Sequence, residues 1–149
     1  MSWRDTLQGW WARLLNQGAE EVTPLNLRRG RLGEKSAQIF LERLGYRFVL
    51  ANFRSKRGEI DLIFTHEGCV IFVEVKTRSS EKWKRPADAV NWKKQRRLSR
   101  AALDYLRTLK NPRVAFRFDI VEVILSRDSV VEIRHIRDAF RLTAPYRYG

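Results

Sequence analysis

Two apolar stretches constrain this chain more than any other feature: EIDLIFT at 59–65 and VIFVEVKT at 70–77, on either side of the turn His66-Glu67-Gly68-Cys69. Their β-branched and aromatic content around a short Gly-containing turn reads as an antiparallel hairpin. Centring the turn on the Glu67–Gly68 bond pairs Ile60 with Val75, Leu62 with Val73 and Phe64 with Ile71. That face is wholly apolar, and a one-residue slip would destroy it, so the register is specified. The opposite face then pairs Glu59 with Lys76, Asp61 with Glu74, Ile63 with Phe72 and Thr65 with Val70. Asp61 and Glu74 therefore face each other with Cβ atoms about 5 Å apart, an arrangement that repulsion disfavours. A cation between them removes the conflict. Lys76 projects to the same side, about 7 Å further along the strand.

Two converging carboxylates suit a hard divalent ion. Mg²⁺ takes one or two protein carboxylates, keeps several waters and uses substrate phosphate as a further ligand. A neighbouring lysine can orient an attacking water or help deprotonate it. Asp61, Glu74 and Lys76 together read as metal-dependent phosphodiester hydrolysis. The alternative is a plain ion-pair cluster, in which Lys76 neutralises Glu74 and Glu59 pairs with Lys76 across the strands.

The remaining pattern surrounds that hairpin. Trp3, Leu7, Trp10, Trp11, Leu14 and Leu15 form one stripe of an N-terminal amphipathic helix. Residues 16–32, which mix Gly, Pro, Asn and Arg, read as a linker. The division expected is an N-terminal helix and linker at 1–30, a main domain at 31–142 and a tail at 143–149. A helix starts near Gly33 with stripe residues Ala37, Phe40, Leu41 and Leu44, and Gly45 stops it. Strands are expected at 47–53, 59–65, 70–77, 114–125 and 130–136. A long helix is expected at about 87–110, with Leu98, Ala102, Tyr105 and Leu109 inward and Asn111-Pro112 ending it. The order α-β-β-β-α-β-β implies an α/β or α+β domain built on one sheet.

Charge narrows the function. The 149 residues carry 30 Lys or Arg against 17 Asp or Glu, a formal net charge of +13. Residues 78–113 alone hold twelve basic residues against three acids, a net of +9. Such concentration on a folded domain fits a polyanionic partner, with a merely solvated basic face as the alternative. Lys93, Lys94, Arg96, Arg97 and Arg100 on the helix, and Lys82, Lys84 and Arg85 in the segment before it, are the expected phosphate contacts. Basic side chains of this kind give salt-dependent affinity without reading bases. Trp83 and Trp92 either stack on unpaired bases or pack, with packing expected for Trp92 in its helix. One cysteine and two histidines exclude a disulfide scaffold and a Cys- or His-rich zinc site. No apolar run nears the ~18 residues of a membrane span. The opening MSWRDTLQGWWARLL lacks the apolar core of a signal peptide, which points to the cytoplasm.

The pieces GEKSAQIFLERLGY, RGEIDLIF, FVEVKTR, KKQRRL and RFDIVEV, in this order, resemble the YraN family. That family is similar to archaeal Holliday junction resolvases and carries the D…ExK pattern of restriction-endonuclease-like nucleases. The resemblance covers about residues 30–142. It implies a central mixed β-sheet flanked by helices. It also implies Asp61 and Glu74 as ligands of Mg²⁺ or Mn²⁺, the Val75 carbonyl as a further ligand and Lys76 as the residue that positions or activates water. Glu34 occupies the place of an acid from the first helix, with complementation of the helix dipole as its alternative role. Gln95 occupies the place of a supporting glutamine, with capping or packing as its alternative. Arg78, at the strand end, is placed to meet a phosphate. Asp119 interrupts an aromatic segment and is open to either a structural or a functional reading, and His66 is a lone turn histidine.

The leading expectation is a divalent-metal-dependent DNA endonuclease or nickase that prefers branched or otherwise structured DNA, such as single-strand/duplex junctions. The alternative is a basic nucleic-acid-binding module with the same fold and no catalysis. A third is a protein that works through its Trp-rich N-terminal helix, on a protein partner or a membrane surface. Cutting both strands of a junction requires a symmetric dimer, so a homodimer is an expectation of the resolvase likeness.

Overall fold

The computed structural model describes residues 24–80 and 90–149. The predicted helix over 3–15, together with Lys82, Trp83, Lys84 and Arg85, lies outside them. The elements run α1 (Leu25–Arg43), β1 (Arg47–Ser55), β2 (Gly58–His66), β3 (Cys69–Ser79), α2 (Trp92–Thr108), β4 (Ala115–Ser126) and β5 (Ser129–Phe140). They form one mixed sheet in the order β1-β2-β3-β4-β5. Only β3 and β4 are parallel, and α2 makes the crossover between them. This is the helix-flanked central sheet that the resemblance implied. Among the described residues no helix is long and apolar enough to cross a membrane.

The sheet is covered on both faces, which is why β3 is apolar at successive positions rather than alternate ones. Leu62, Phe64, Ile71, Val73, Val121 and Val123 form one core with Ala37 and Leu41 of α1. Ile63, Phe72, Phe118 and Ile120 form the other with Leu98, Ala101, Ala102, Tyr105 and Leu106 of α2. Ile60 joins this second core instead of continuing the Leu62 face, so the alternation predicted along β2 breaks at Asp61.

Both helices approach the sheet through a glycine. A Cβ on Gly33 would lie 1.8 Å from Thr77 Oγ1, and one on Gly58 would lie 2.7 Å from the Arg97 carbonyl oxygen. Only hydrogen fits at either position.

Three local expectations need correcting. α1 begins at Leu25 behind Pro24, so residues 25–32 are helical and not linker. Their exposed Leu25 and Leu27 give no inward stripe from which the start could be read. In α2, Leu109 is exposed and Leu106 takes the inward place, because the helix ends at Thr108 and Leu109 has left helical geometry. β5 runs to Phe140, well past residue 136, along the edge of β4. The last residues also pack: Thr143 is buried and its N–H donates to Ser99 Oγ at 3.1 Å.

Candidate active site

The hairpin register is the predicted one, but its ladder stops at Leu62–Val73. Beyond that pair, β2 stays with β1 while β3 runs on beside β4. Asp61 and Glu74 therefore stand at a fork between diverging strands and not opposite each other as one rung of the ladder. The Val75 N–H loses its strand partner there and needs another acceptor. Asp61 Oδ2 accepts from it at 2.8 Å. Glu59, freed from the expected pairing with Lys76, faces Arg54 of β1 at 3.5 Å.

Asp61 and Glu74 remain neighbours at the fork. Burial, followed by the charge of Glu74, pushes the Asp61 carboxyl up to about 7, against the stabilising Val75 N–H. Glu74 is only 5% exposed. Its Oε1 lies 3.2 Å from Lys94 Nζ and 3.7 Å from Lys76 Nζ. Its Oε2 is buried with no hydrogen-bond partner among the described residues. An orphaned carboxylate oxygen beside a second carboxylate makes Asp61 and Glu74 the residues that could hold a cation here. Two carboxylates also match the number that Mg²⁺ takes from protein.

Glu34 projects toward this corner from α1. Burial raises its pKa first and the Asp61 charge second, while a hydrogen bond with Asn52 opposes both. Among the described residues, however, no three His, Cys, Asp or Glu side chains gather closely enough to hold a metal. The structure thus brings together Asp61, Glu74, Lys76 and Lys94, with Glu34 outside that contact set.

Lys94, expected among the phosphate contacts, sits beside the Glu74 carboxylate. The signal was present: Lys94 precedes Leu98 by four residues and shares its helix face. Asn91 caps α2 by accepting from the Lys94 N–H at 2.9 Å, and the Gln95 amide donates to the Val90 carbonyl at 3.1 Å. Both bonds fix the first turn that carries Lys94.

Glu122 was missed, although it continues the alternation Phe118, Ile120, Glu122 along β4. It is fully buried, pairs in register with Lys76, and neither carboxyl oxygen has a hydrogen-bond partner among the described residues. Arg78 turns to it, with Nε 3.9 Å from Glu122 Oε1.

Asp119 has structural partners. It accepts from Arg117 Nε at 2.9 Å and from the Asp138 N–H at 3.0 Å, and lies 2.7 Å from His135 Nε2. Burial raises its pKa, but these partners outweigh burial and hold it below the usual carboxylate range. His66 stacks on Tyr46 with centroids 4.1 Å apart, and its Nε2 lies 3.8 Å from Glu67 Oε1.

The outer face of α2 is basic, as expected, through Lys93, Arg96, Arg97 and Arg100. Trp92 corrects the expectation of packing, since 59% of it is exposed. It lies six residues before Leu98, about 240° around the helix and off the inward stripe.

The family model described as "Uncharacterised protein family UPF0102" matches residues 33–123, a span that holds the fork, both lysines and Glu122. A UPF0102 protein of Alkaliphilus metalliredigens is 43% identical over 111 residues, covering 74% of this chain and 96% of that one. One of Syntrophus aciditrophicus is 44% identical over 117 residues, covering 78% and 91%. One of Symbiobacterium thermophilum is 43% identical over 116 residues, covering 78% and 98%. With the family model spanning most of the chain and relatives aligned over nearly their full lengths, the chain belongs to the UPF0102 family, the YraN family its motifs resemble.

Proposed function

We propose that this protein is a divalent-metal-dependent nuclease that hydrolyses phosphodiester bonds in structured DNA. The observation that carries the reading is the buried Glu74 carboxylate, one oxygen without a partner, beside an Asp61 whose charge it opposes. Asp61 and Glu74 would hold Mg²⁺ or Mn²⁺, with the Val75 carbonyl as the further ligand the family likeness implies. Such an ion supplies charge neutralisation at phosphate and a nucleophilic water at neutral pH.

The chain's own groups do the rest. Lys76 and Lys94 bring two ammonium groups to the acids, where they attract a phosphodiester and orient water against it. Gln95 and Asn91 hold the turn that carries Lys94. The Arg- and Lys-rich outer face of α2 binds backbone phosphates in a salt-dependent way. Preference for branched DNA rests on the likeness to junction resolvases, which is analogy at the level of fold.

A second reading, a basic binding module without catalysis, draws on the same geometry. Lys76 and Lys94 already neutralise Glu74 without any metal. Cleavage of labelled four-way junction, flap, single-stranded and duplex DNA separates the two. Metal-dependent products that disappear with EDTA and in Asp61→Asn support the nuclease. Tight binding with no product in Mg²⁺ or Mn²⁺ supports the module.

A further inference from the structure

The outer face of α2 is not a flat basic surface. Arg57, Trp92, Lys93, Arg96, Arg97 and Arg100 line a single cavity of about 490 Å³. It is a half-open cleft whose volume falls within the range of about 300–1,000 Å³ typical of sites for one small ligand.

The cations in it differ. Arg57 is already committed, its Nε donating to Asp104 at 3.1 and 3.2 Å. Among the described residues, Lys93, Arg96, Arg97 and Arg100 form no ion pair with a carboxylate. The Nε groups of Arg96 and Arg100 are shielded from solvent and make no hydrogen bond among the described residues. The rest of the Arg96 guanidinium meets the Tyr146 hydroxyl, whose pKa it lowers. The two shielded Nε donors still suit an anion with several oxygens, and phosphate matches the guanidinium fork.

The aromatic groups add a second requirement. The Arg96 guanidinium lies 5.4 Å from the Trp92 ring centroid and 5.9 Å from that of Tyr146. Trp92 itself is largely open at the rim of the cavity. An indole beside a guanidinium plane offers a stacking surface to any base with a free face. Paired bases inside a duplex are already stacked and cannot use it.

We infer that this cavity binds one phosphate–base unit of an unpaired nucleic-acid strand. Phosphate meets Arg96, Arg97, Arg100 and Lys93, and the base stacks on Trp92. The inference rests on the nucleic-acid part of the proposed function and not on its catalysis. It gives a physical source for a preference for single-strand/duplex junctions over plain duplex.

The test is fluorescence anisotropy on the full chain in EDTA, with a labelled oligo-dT and a labelled duplex of equal length. Wild type is compared with Trp92→Ala and Arg100→Ala, and circular dichroism monitors folding. Stacking of one base supports roughly a 5- to 150-fold effect, so Trp92→Ala should lower the ratio of single-strand to duplex affinity by about tenfold. Arg100→Ala should reduce the single-strand salt slope by about 0.7, the value for one lost phosphate contact. Equal losses for both probes in Trp92→Ala, or no loss for either, overturn the inference. Retained binding to anionic phosphatidylglycerol vesicles that falls in Trp92→Ala, without any effect on oligo-dT, overturns it in favour of a membrane surface. Failure of cleavage leaves this assay intact, because no metal is present. Absence of all nucleic-acid binding defeats both readings, whereas duplex binding without a Trp92-dependent preference defeats this one alone.

Discussion

Replacing Asp61 with asparagine should stabilise the fold at neutral and alkaline pH while removing the proposed activity. Burial and the Glu74 charge move the Asp61 carboxyl from 3.8 to about 7. The folded state therefore keeps this proton longer than the unfolded chain does. Stability falls as pH rises through the window from about 4 to about 7, and levels off above it. At about 1.4 kcal/mol per pH unit, the ionised carboxylate costs at most about 4 kcal/mol at pH 8. Asparagine removes the charge but keeps an amide oxygen to accept the Val75 N–H. The expected gain is about 2–4 kcal/mol at pH 8, shrinking to near zero at about pH 4. Urea unfolding of both proteins at pH 4, 6 and 8 in EDTA measures it. Added Mg²⁺ should then recover stability for wild type alone, by the mass-action gain of a ligand that binds only the folded state. A variant that is less stable at pH 8, or an effect independent of pH, would refute the opposition of Asp61 and Glu74 as described.

Other perturbations check the remaining parts. Lys94→Met should slow cleavage by about 10²-fold or more while leaving DNA affinity largely intact; an equal loss of affinity would return Lys94 to the phosphate-contacting set. Asp119→Asn should cost about 3 kcal/mol in chemical denaturation at pH 7, because Arg117 loses its buried partner. That stabilising contribution is present above the ordinary aspartate pKa and is lost as pH falls through the lower folded value, so the variant and wild type should converge in acid. Gly58→Ala should destabilise by about 1–3 kcal/mol, since its Cβ meets the Arg97 carbonyl; a neutral result in thermal unfolding would contradict that close approach.

The hairpin was readable because a strand's side chains alternate with a period of two and one face had to be buried. Leu62–Val73 and Phe64–Ile71 follow from that alone. The fork at Asp61 and Glu74 was not readable, because it depends on β3 pairing with β4, a partner about fifty residues downstream. The same blindness gave Glu59 the wrong partner. Lys94 and Trp92 were decided by helix phase: four residues before Leu98 is inward, six is outward. Reading Lys94 as one more basic residue, and Trp92 as one more apolar one, set residue type above phase. Glu122 was legible by alternation along β4, but an acid within RFDIVEV has no visible partner until Arg78 and Lys76 arrive beside it. Asp119 likewise has no visible structural role until the fold brings Arg117, His135 and the Asp138 N–H to it.

The most direct test of the central claim is a Mn²⁺ titration of the full chain at pH 8, with free Mn²⁺ followed by electron paramagnetic resonance. A cation site at Asp61 and Glu74 predicts saturable binding in wild type that loosens tenfold or more in both Asp61→Asn and Glu74→Gln. No binding, or equal binding in all three proteins, would contradict it.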